Sequence, residues 1–312
     1  MDIALQVSGT YDEVLDAARW AEEVGLAALA LPDHYLRGLG DDAATTPAAD
    51  ALTQLAGLAR DTESIPLVVL VAPITFRHPA VLLKTAVTID RMSGGRFSLG
   101  VGTGWLDREH EVFGLPYPDR PVRFEMLEEA LSYIRAGLSA SNPGWQGHHY
   151  SLEEFPLLPA PLGPIPLVVG GIGKQRTPQL AGRFADEYNV YASQDTEAMM
   201  ARIDVARAAA REAGRDPAAI LLSSAGQVLA GATRAEYDEK LAQLAATTGV
   251  TPTEMEEQLE QMRAPRGTFD EVCDLFEAYA TLGITRFYLQ RRADFSREED
   301  AALVARLFPI GA

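Results

Sequence analysis

Residues 96–106, RFSLGVGTGWL, decide the fold of this chain. Phe97, Leu99 and Val101 alternate with small residues, and glycine then occupies positions 100, 102 and 104. An apolar run that becomes glycine-rich is typical of a buried strand whose end passes close to another group. In parallel α/β proteins ligands bind at the carboxyl ends of the strands, so we expect a ligand site just beyond Gly104.

Outward from this segment, short apolar strands alternate with amphipathic helices along the whole chain. The predicted strands are Asp2–Val7, Ala27–Leu31, Ile65–Ala72, Phe97–Val101, Pro166–Val169, Glu187–Ala192, Ile220–Val228 and Thr285–Gln290. Eight β-then-α units without a linker predict the α/β class and a single (β/α)8 TIM barrel over residues 1–312. Extra material is expected as insertions near 105–121, 139–166 and 249–266, the second with a short extended piece near Tyr150.

The helices are predicted from apolar periodicity and from caps such as Thr10 with Glu13. They are Tyr11–Val24, Pro47–Asp61, Pro79–Met92, Val122–Leu138, Thr177–Phe184, Thr196–Ala213, Arg234–Thr247, Thr268–Leu282 and Arg297–Phe308. The charged run Asp107–Glu111, directly after the glycines, is predicted to be exposed. The segment Asp90–Arg96, DRMSGGR, joins a helix to the start of a strand, so it is predicted to have a structural role at the bottom of the barrel.

The chain is strongly acidic, with 27 Lys and Arg against 44 Asp and Glu and a net charge of −17. This balance argues against nucleic acid and anionic membranes as partners. It does not exclude an anionic cofactor, because local glycine loops and a few cations can bind phosphate inside an acidic protein. The single cysteine, Cys273, excludes an intramolecular disulfide, and no metal site is predicted. The sequence shows neither a charged-then-apolar leader at its start nor an apolar run of about 18 residues that could cross a membrane. The expected location is therefore cytoplasmic.

A second glycine-rich turn, GGIGK at 170–174, follows the predicted fifth strand and precedes a helix. Glycines let backbone N–H groups point at an anion, and a helix N-terminus adds partial positive charge. The turn therefore predicts a phosphate site formed by Gly170, Gly171, Gly173 and Lys174. A Walker A loop is excluded because Val168 stands where its first glycine belongs and Gln175 follows the lysine. A plain tight turn is the alternative.

His34 ends the predicted second strand and is the candidate catalytic residue. Its imidazole can give or take a proton near neutral pH. Hydride transfer to a carbonyl, imine or activated alkene needs such a proton at the other end of the bond. Asp33 is a candidate to orient the ring, but neighbours on a strand point apart, so His34 is equally expected to act alone. A hydrogen-bonded histidine that only shapes the pocket is the alternative. His78, His110, His148 and His149 are weaker candidates.

The glycines at 100, 102 and 104 leave two interpretations open. In the first, they let the fourth strand approach its neighbours closely inside the barrel. In the second, Gly102 and Gly104, together with Trp105, give a flat ring system room to lie against the backbone. The spacing G-x-G-x-G differs from the dinucleotide pattern G-x-G-x-x-G, so it is weak evidence for a nucleotide.

Three segments closely resemble the luciferase-like monooxygenase superfamily, and most of all its coenzyme F420-dependent oxidoreductase branch: FRHPAV at 76–81, DRMSGGR at 90–96 and GVGTGW at 100–105. Pro32–His34 and Gly170–Gly173 also fit, and the resemblance covers nearly the whole chain. It implies a (β/α)8 barrel that holds F420 or FMN, with the phosphate in the loop after strand five. It also implies a homodimer, because relatives often pair.

The resemblance further implies where the cofactor ring and its tail lie. Members carry a bulge with a non-proline cis peptide behind the ring, which would be Leu70–Val71 here, with Val71–Ala72 as the next choice. Leu70, Val71 and Ala72 are thus expected at the cofactor. From their place at strand ends, Tyr191, Ala192 and Ser193 are expected near its polar tail. Arg291 and Arg292, with Lys174 and Arg176, are candidates for an anionic tail or a substrate carboxylate. A surface salt bridge is the alternative for the Arg291–Arg292 pair.

Three functions remain open. The first is an oxidoreductase that transfers a hydride between F420 and a small organic substrate. The second is an FMN-dependent monooxygenase supplied by a separate reductase, with chemistry in a water-excluded pocket. The third is a barrel that binds a flavin or deazaflavin without catalysis.

Overall fold

The eight predicted strands close into one parallel barrel in the computed structural model, which describes residues 1–37, 46–291, 301 and 303–305. The barrel strands β1–β8 are Asp2–Val7, Leu29–Leu31, Leu67–Pro73, Phe97–Gly102, Leu167–Gly171, Glu187–Tyr191, Leu221–Gly226 and Ile284–Arg291. Each strand pairs in parallel with its neighbours in the chain, and β8 closes onto β1. The predicted (β/α)8 TIM barrel is therefore confirmed.

Ten α-helices lie within the described ranges up to residue 291. Helices α1–α10 are Tyr11–Glu23, Ala51–Asp61, Pro79–Ser93, Asp107–Phe113, Arg120–Leu138, Arg176–Phe184, Thr196–Glu212, Arg234–Thr248, Pro252–Gln261 and Phe269–Leu282. The main hydrophobic core lies between the helices and the outward-facing residues of the strands, such as Leu5 and Leu99. A second cluster fills the barrel interior with mostly small side chains: Ala4, Ala28, Ala30, Val68, Leu70, Val168, Ala225 and Tyr288.

The segment Asp90–Arg96 connects α3 to β4 at the bottom of the barrel, as predicted. Gly94 ends α3 in the left-handed conformation, with φ of 72°. The Arg96 guanidinium donates to the carbonyl oxygens of Ala59, Thr62 and Ile65 at 3.1, 3.0 and 2.6 Å. These bonds tie the end of α2 to the starts of β3 and β4, so the role of the segment is structural.

The insertion at 105–121 corrects the sequence analysis. Asp107–Glu111 was expected to be exposed, but it forms most of α4, and Glu109 and His110 are 1% and 2% exposed. A seven-residue helix can bury two adjacent polar side chains when both find partners. Glu109 accepts hydrogen bonds from the segment after β2, and His110 bonds to the Thr75 hydroxyl and the Leu106 carbonyl.

Other element boundaries also differ from the predictions; β2, for example, begins at Leu29 and not at Ala27. Helix α2 begins at Ala51 and not at Pro47, because the Asp50 side chain caps it by accepting from Thr53 N at 2.8 Å. Strand β7 ends at Gly226, whereas the prediction continued it to Val228.

The longer insertions contain more structure than the sequence indicated. Residues 139–166 include a small hairpin of Trp145–Gln146 with Ser151–Leu152. Its second strand, which begins directly after Tyr150, is the extended piece that was expected there. Residues 249–266 include α9, which was not predicted. Helices α8 and α9 share a small core of their own, and the flanking strands Leu229–Gly231 and Arg266–Thr268 pair in parallel.

The predicted last helix, Arg297–Phe308, lies outside the described residues except at 301 and 303–305, which are helical. Arg292 also lies outside them. In the described part of the chain, the helices all fall short of the length and apolar character that crossing a membrane would need.

Candidate active site

A bulge in β3 forms one wall of the barrel mouth. The Leu70–Val71 peptide bond is cis, as the resemblance implied, and pairing of β3 with β4 shifts register between Val69 and Ala72. The side chain of Val71 lies beside Gly100 and Gly102. A Cβ at Gly100 would meet the Val69 carbonyl oxygen at 2.1 Å, and one at Gly102 would meet Val71 Cγ2 at 2.9 Å. Both glycines are thus required by the close approach of the bulge.

The turn after β4 is held from behind by α5. Gly104 has φ of 73°, and a Cβ there would lie 3.2 Å from Thr75 Oγ1. Arg123 donates to the Gly104 carbonyl and to the Tyr117 hydroxyl, both at 2.6 Å. Trp105, the next residue, is 60% exposed. The turn therefore presents an indole ring at the mouth of the barrel on a fixed backbone.

His34 lies beside this indole, and a buried carboxylate orients it. The His34 and Trp105 rings meet edge to face with centroids 5.6 Å apart. His34 Nδ1 lies 3.1 and 3.2 Å from the two carboxylate oxygens of Glu109. Because a carboxylate only accepts hydrogen bonds, Nδ1 carries the hydrogen and Nε2 is left to take up or release a proton. The His34 side chain is 28% exposed, so solutes can reach it.

Glu109 is itself fixed by the backbone. Its Oε1 accepts from Tyr35 N at 2.6 Å and from Leu36 N at 2.9 Å. The sequence analysis missed this residue, since it lies 75 positions from His34 within a run of alternating charges. Gly114, which ends α4 with φ of 64°, is a local sign of a helix here, as are the acidic residues Asp107 and Glu109 in its first turn.

Asp33 does not orient His34. Its carboxylate is 1% exposed and binds the Arg77 guanidinium, which also binds Asp50. Burial opposes the charge of Arg77, but the two carboxylates outweigh it and raise the pKa of Arg77. The Tyr35 and Phe76 rings stack 4.5 Å apart beside this cluster. Asp33 therefore anchors the segment that carries His34.

The loop after β5 exposes its backbone. Gly171 has φ of 145°, and a Cβ at Gly173 would meet Thr177 Oγ1 at 2.5 Å. Among the described residues, no hydrogen-bond acceptor lies opposite the N–H groups of residues 172–177. Lys174 is exposed and forms no ion pair with any of the described residues. Arg176 instead packs on the Phe124 ring at 4.8 Å. The loop has the free donors that an anion site needs.

Tyr191, the last residue of β6, and the two residues that follow it differ in accessibility. Tyr191 is exposed at the mouth, whereas Ala192 and Ser193 are buried. Ser193 N and O bond to the Tyr279 hydroxyl at 2.9 and 2.8 Å, and Ser193 Oγ accepts from Asp195 N at 3.1 Å. Of the trio, Tyr191 is the side chain that lies open to a ligand.

No group of three or more His, Cys, Asp or Glu side chains that could hold a metal ion is found in the described part of the chain.

The fold and the site define a TIM-barrel protein with a histidine–carboxylate pair at the glycine-lined mouth of its barrel. Residues 2–311 match the profile of the luciferase-like monooxygenase family, and the chain belongs to that family.

Named relatives of the chain include enzymes of two kinds. It is 34% identical over 187 residues to an F420-dependent glucose-6-phosphate dehydrogenase of Microbacterium testaceum, a match covering 60% of this chain and 54% of the relative. It is 30% identical over 178 residues to a pyrimidine monooxygenase of Allorhizobium ampelinum, covering 55% and 48%. The chain thus spans about half the length of the curated relatives it matches.

Solved structures show the same fold. An F420-dependent secondary alcohol dehydrogenase, in complex with an F420–acetone adduct, superposes with a TM-score of 0.79 at 21% identity, covering 99% of this chain and 98% of that one. A riboflavin lyase with modified FMN superposes with a TM-score of 0.78 at 16% identity, covering 99% and 91%.

Proposed function

We propose that this protein is an F420-dependent oxidoreductase that transfers a hydride between the deazaflavin and a small organic substrate. The observation that carries the proposal is the His34–Glu109 pair beside the barrel mouth. Moving a hydride to or from a carbon that bears oxygen requires a proton to leave or reach that oxygen. An imidazole whose tautomer is set by a buried carboxylate can do this. The F420-dependent names of several relatives support the choice of cofactor.

The residues at the mouth fit a flavin-type cofactor. Because Gly102 and Gly104 have no side chains, a flat ring can lie directly against their backbone beside Val71. The N–H groups of residues 172–177, which have no acceptor among the described residues, and the cation of Lys174 suit a phosphate, because an anion there meets both donors and positive charge. In this proposal Leu70 and Val71, on the barrel interior, contact the ring, and Gly170, Gly171 and Gly173 shape the phosphate loop. Ala72, also expected there from the resemblance, is fully buried and packs in the main core, so its side chain is not placed against the ring.

F420, when bound, supplies a two-electron hydride donor or acceptor. The chain supplies orientation and the proton. With an alcohol as substrate, bound F420 would supply the hydride acceptor and His34 Nε2 would take up the hydroxyl proton. In carbonyl reduction the cofactor would supply the hydride, and the same nitrogen would return the proton to the oxygen. Glu109 holds the imidazole by its Nδ1 hydrogen and stabilises the cation that forms. Trp105 offers an aromatic surface to the apolar part of the substrate.

The test is a pair of titrations, with F420 and with FMN, followed by protein fluorescence. F420 should bind more tightly. FMN that binds at least as tightly and stays bound through purification would establish the monooxygenase alternative and overturn the proposal.

Lys174→Gln provides a site-specific version of this test. It should weaken F420 binding about three- to tenfold at low salt and less at high salt, because exposed ion pairs are screened. Arg211→Gln is the matched control. It removes one positive charge from the exposed end of α7, at the bottom of the barrel, and should leave the affinity unchanged. Equal affinities for the two variants would place the anion site elsewhere.

A cytoplasmic location, a single domain over residues 1–312 and a homodimer are part of the same proposal. Light scattering coupled to size-exclusion chromatography measures the oligomeric state directly.

A further inference from the structure

A chain of two hydrogen bonds crosses the upper part of the barrel to the bulge in β3. Gln6 on β1 is 5% exposed, and its Nε2 donates to the Leu70 carbonyl oxygen at 2.6 Å. Its Oε1 accepts from Gln290 Nε2 on β8, also at 2.6 Å. Gln6 and Gln290 are directly opposite each other in the β1–β8 ladder. The two amides therefore connect three strands.

The Leu70 carbonyl determines which group of each glutamine amide donates and which accepts. The Leu70 carbonyl only accepts, so Gln6 must present its NH2 group to it and its oxygen to Gln290. Gln290 must then donate. Ala4, Ala30 and Tyr288 line the same part of the interior, and an apolar setting makes each bond stronger and each unpaired group costlier.

Strand pairing explains why the Leu70 carbonyl needs this partner. On one side, β2 pairs with β3 only as far as Leu31 with Val69. On the other side, the β4 ladder passes from Val69 to Ala72. Leu70 and Val71 belong to neither register. The side chain of Gln6, one strand further away, supplies the hydrogen bond that neighbouring strands provide elsewhere in the barrel.

We propose that Gln6 is a positioning residue, anchored by Gln290, that fixes the Leu70 carbonyl and hence the side chain of Val71 against which the cofactor ring lies. This inference rests on the proposed function for the identity of the ring. Without Gln6 the bulge samples other orientations, and affinity falls in proportion to the fraction of molecules that keep the binding-competent one.

Methionine has nearly the length of glutamine but no amide, so it removes these bonds without a large change in volume. Gln6→Met should raise the Kd for F420 about tenfold, the scale of one lost buried hydrogen bond. Gln290→Met leaves the Gln6–Leu70 bond in place and should raise the Kd for F420 about threefold. The double variant should bind no more weakly than Gln6→Met, because both substitutions act through one chain of bonds.

Gln54→Met is the matched control. Gln54 is another buried glutamine that donates to a carbonyl, that of Gly9, at 3.0 Å, but it lies on α2. It should lower thermal stability about as much as Gln6→Met and leave the Kd for F420 unchanged. Hydrogen–deuterium exchange of the ligand-free variants provides a second readout. Exchange in residues 67–73 should be faster in Gln6→Met than in Gln54→Met.

The outcomes separate the two proposals. If the wild-type protein binds FMN in preference to F420, the proposed function fails, and the role of Gln6 is judged by FMN affinity and by exchange at 67–73. If Gln6→Met binds the preferred cofactor as tightly as Gln54→Met and exchanges like it, the positioning role is overturned. The exchange measurement decides the question even for a variant with low activity.

Discussion

At the scale of single residues, Glu109 determines which ring nitrogen of His34 carries the hydrogen. In a Glu109→Gln variant the amide oxygen still accepts from Tyr35 N and Leu36 N, so its NH2 group faces His34. The imidazole must then accept at Nδ1 and carry its hydrogen on Nε2, which removes the proton acceptor from the mouth of the barrel.

We predict that Glu109→Gln lowers turnover about 100-fold in the direction of alcohol oxidation, the usual scale for a displaced general base. The Kd for F420 should change less than twofold. Steady-state kinetics over a panel of small alcohols, with F420 absorbance as the signal, measures both. Glu111→Gln, on the exposed side of the same helix, is the control. Wild-type turnover in Glu109→Gln would show that the carboxylate does not orient the catalytic ring.

At the scale of elements, a carboxylate clamp joins the end of α1 to the entry of β3. Glu22 accepts hydrogen bonds from the backbone N–H groups of Glu63 and Ile65 at 3.0 and 2.9 Å, and from the backbone and hydroxyl of Ser64. Partial burial raises the pKa of Glu22, but these donors outweigh it and hold the value below its usual range. The clamp therefore favours folding when Glu22 is ionised.

This clamp predicts a loss of stability in acid. The contribution is complete above roughly pH 4 to 5, where free glutamate titrates, and is lost as the pH falls through the lowered pKa of the folded protein. Glu22→Gln should cost about 1–2 kcal/mol at pH 7 and flatten the pH dependence below pH 5. Urea unfolding at a series of pH values measures this. Glu23→Gln, at the exposed neighbouring position, should match the wild type, and an identical loss in both variants would contradict the clamp.

The sequence predicted elements better than it predicted partners. The β4 segment was recognisable because alternation and glycine spacing are local. The loop at 170–174 was expected from its adjacent glycines, and its role as a phosphate site stays a prediction. Glu109 could not be recognised as a site residue, since its role depends on a residue 75 positions away. The bond from Gln6 to Leu70 spans 64 positions and was missed for the same reason. Helix α9 was missed because its apolar residues pack on α8 and not on the barrel.

At the scale of the whole molecule, the chain has more than one hydrophobic core. Helices α8 and α9 pack around Tyr237, Leu241, Ala245, Met255 and Leu259, apart from the main core. This unit contacts the barrel partly through polar groups: Arg263 pairs with Asp195, and Gln194 N donates to Arg263 O at 2.9 Å. A small core joined in this way opens at a lower free energy than the barrel.

Hydrogen exchange should reveal this hierarchy. Amides of α8 and α9 should exchange by an opening that leaves β1–β6 protected. Leu241→Ala removes a buried side chain, costs about 2–4 kcal/mol locally, and should speed exchange within residues 229–268 alone. Acceleration of the same size in the barrel strands would show that the chain unfolds as one cooperative unit.

The parallel pairing of Leu229–Gly231 with Arg266–Thr268 also makes residues 229–268 a module. The excursion leaves the barrel and returns to it at one place, because its two ends are hydrogen-bonded side by side. The entropy of closing a loop between fixed ends changes slowly with its length. A segment of different length or composition can therefore replace the residues between these ends without a change in the eight strands. The same two ends are the positions at which an engineered or recombined segment would be inserted beside the barrel mouth.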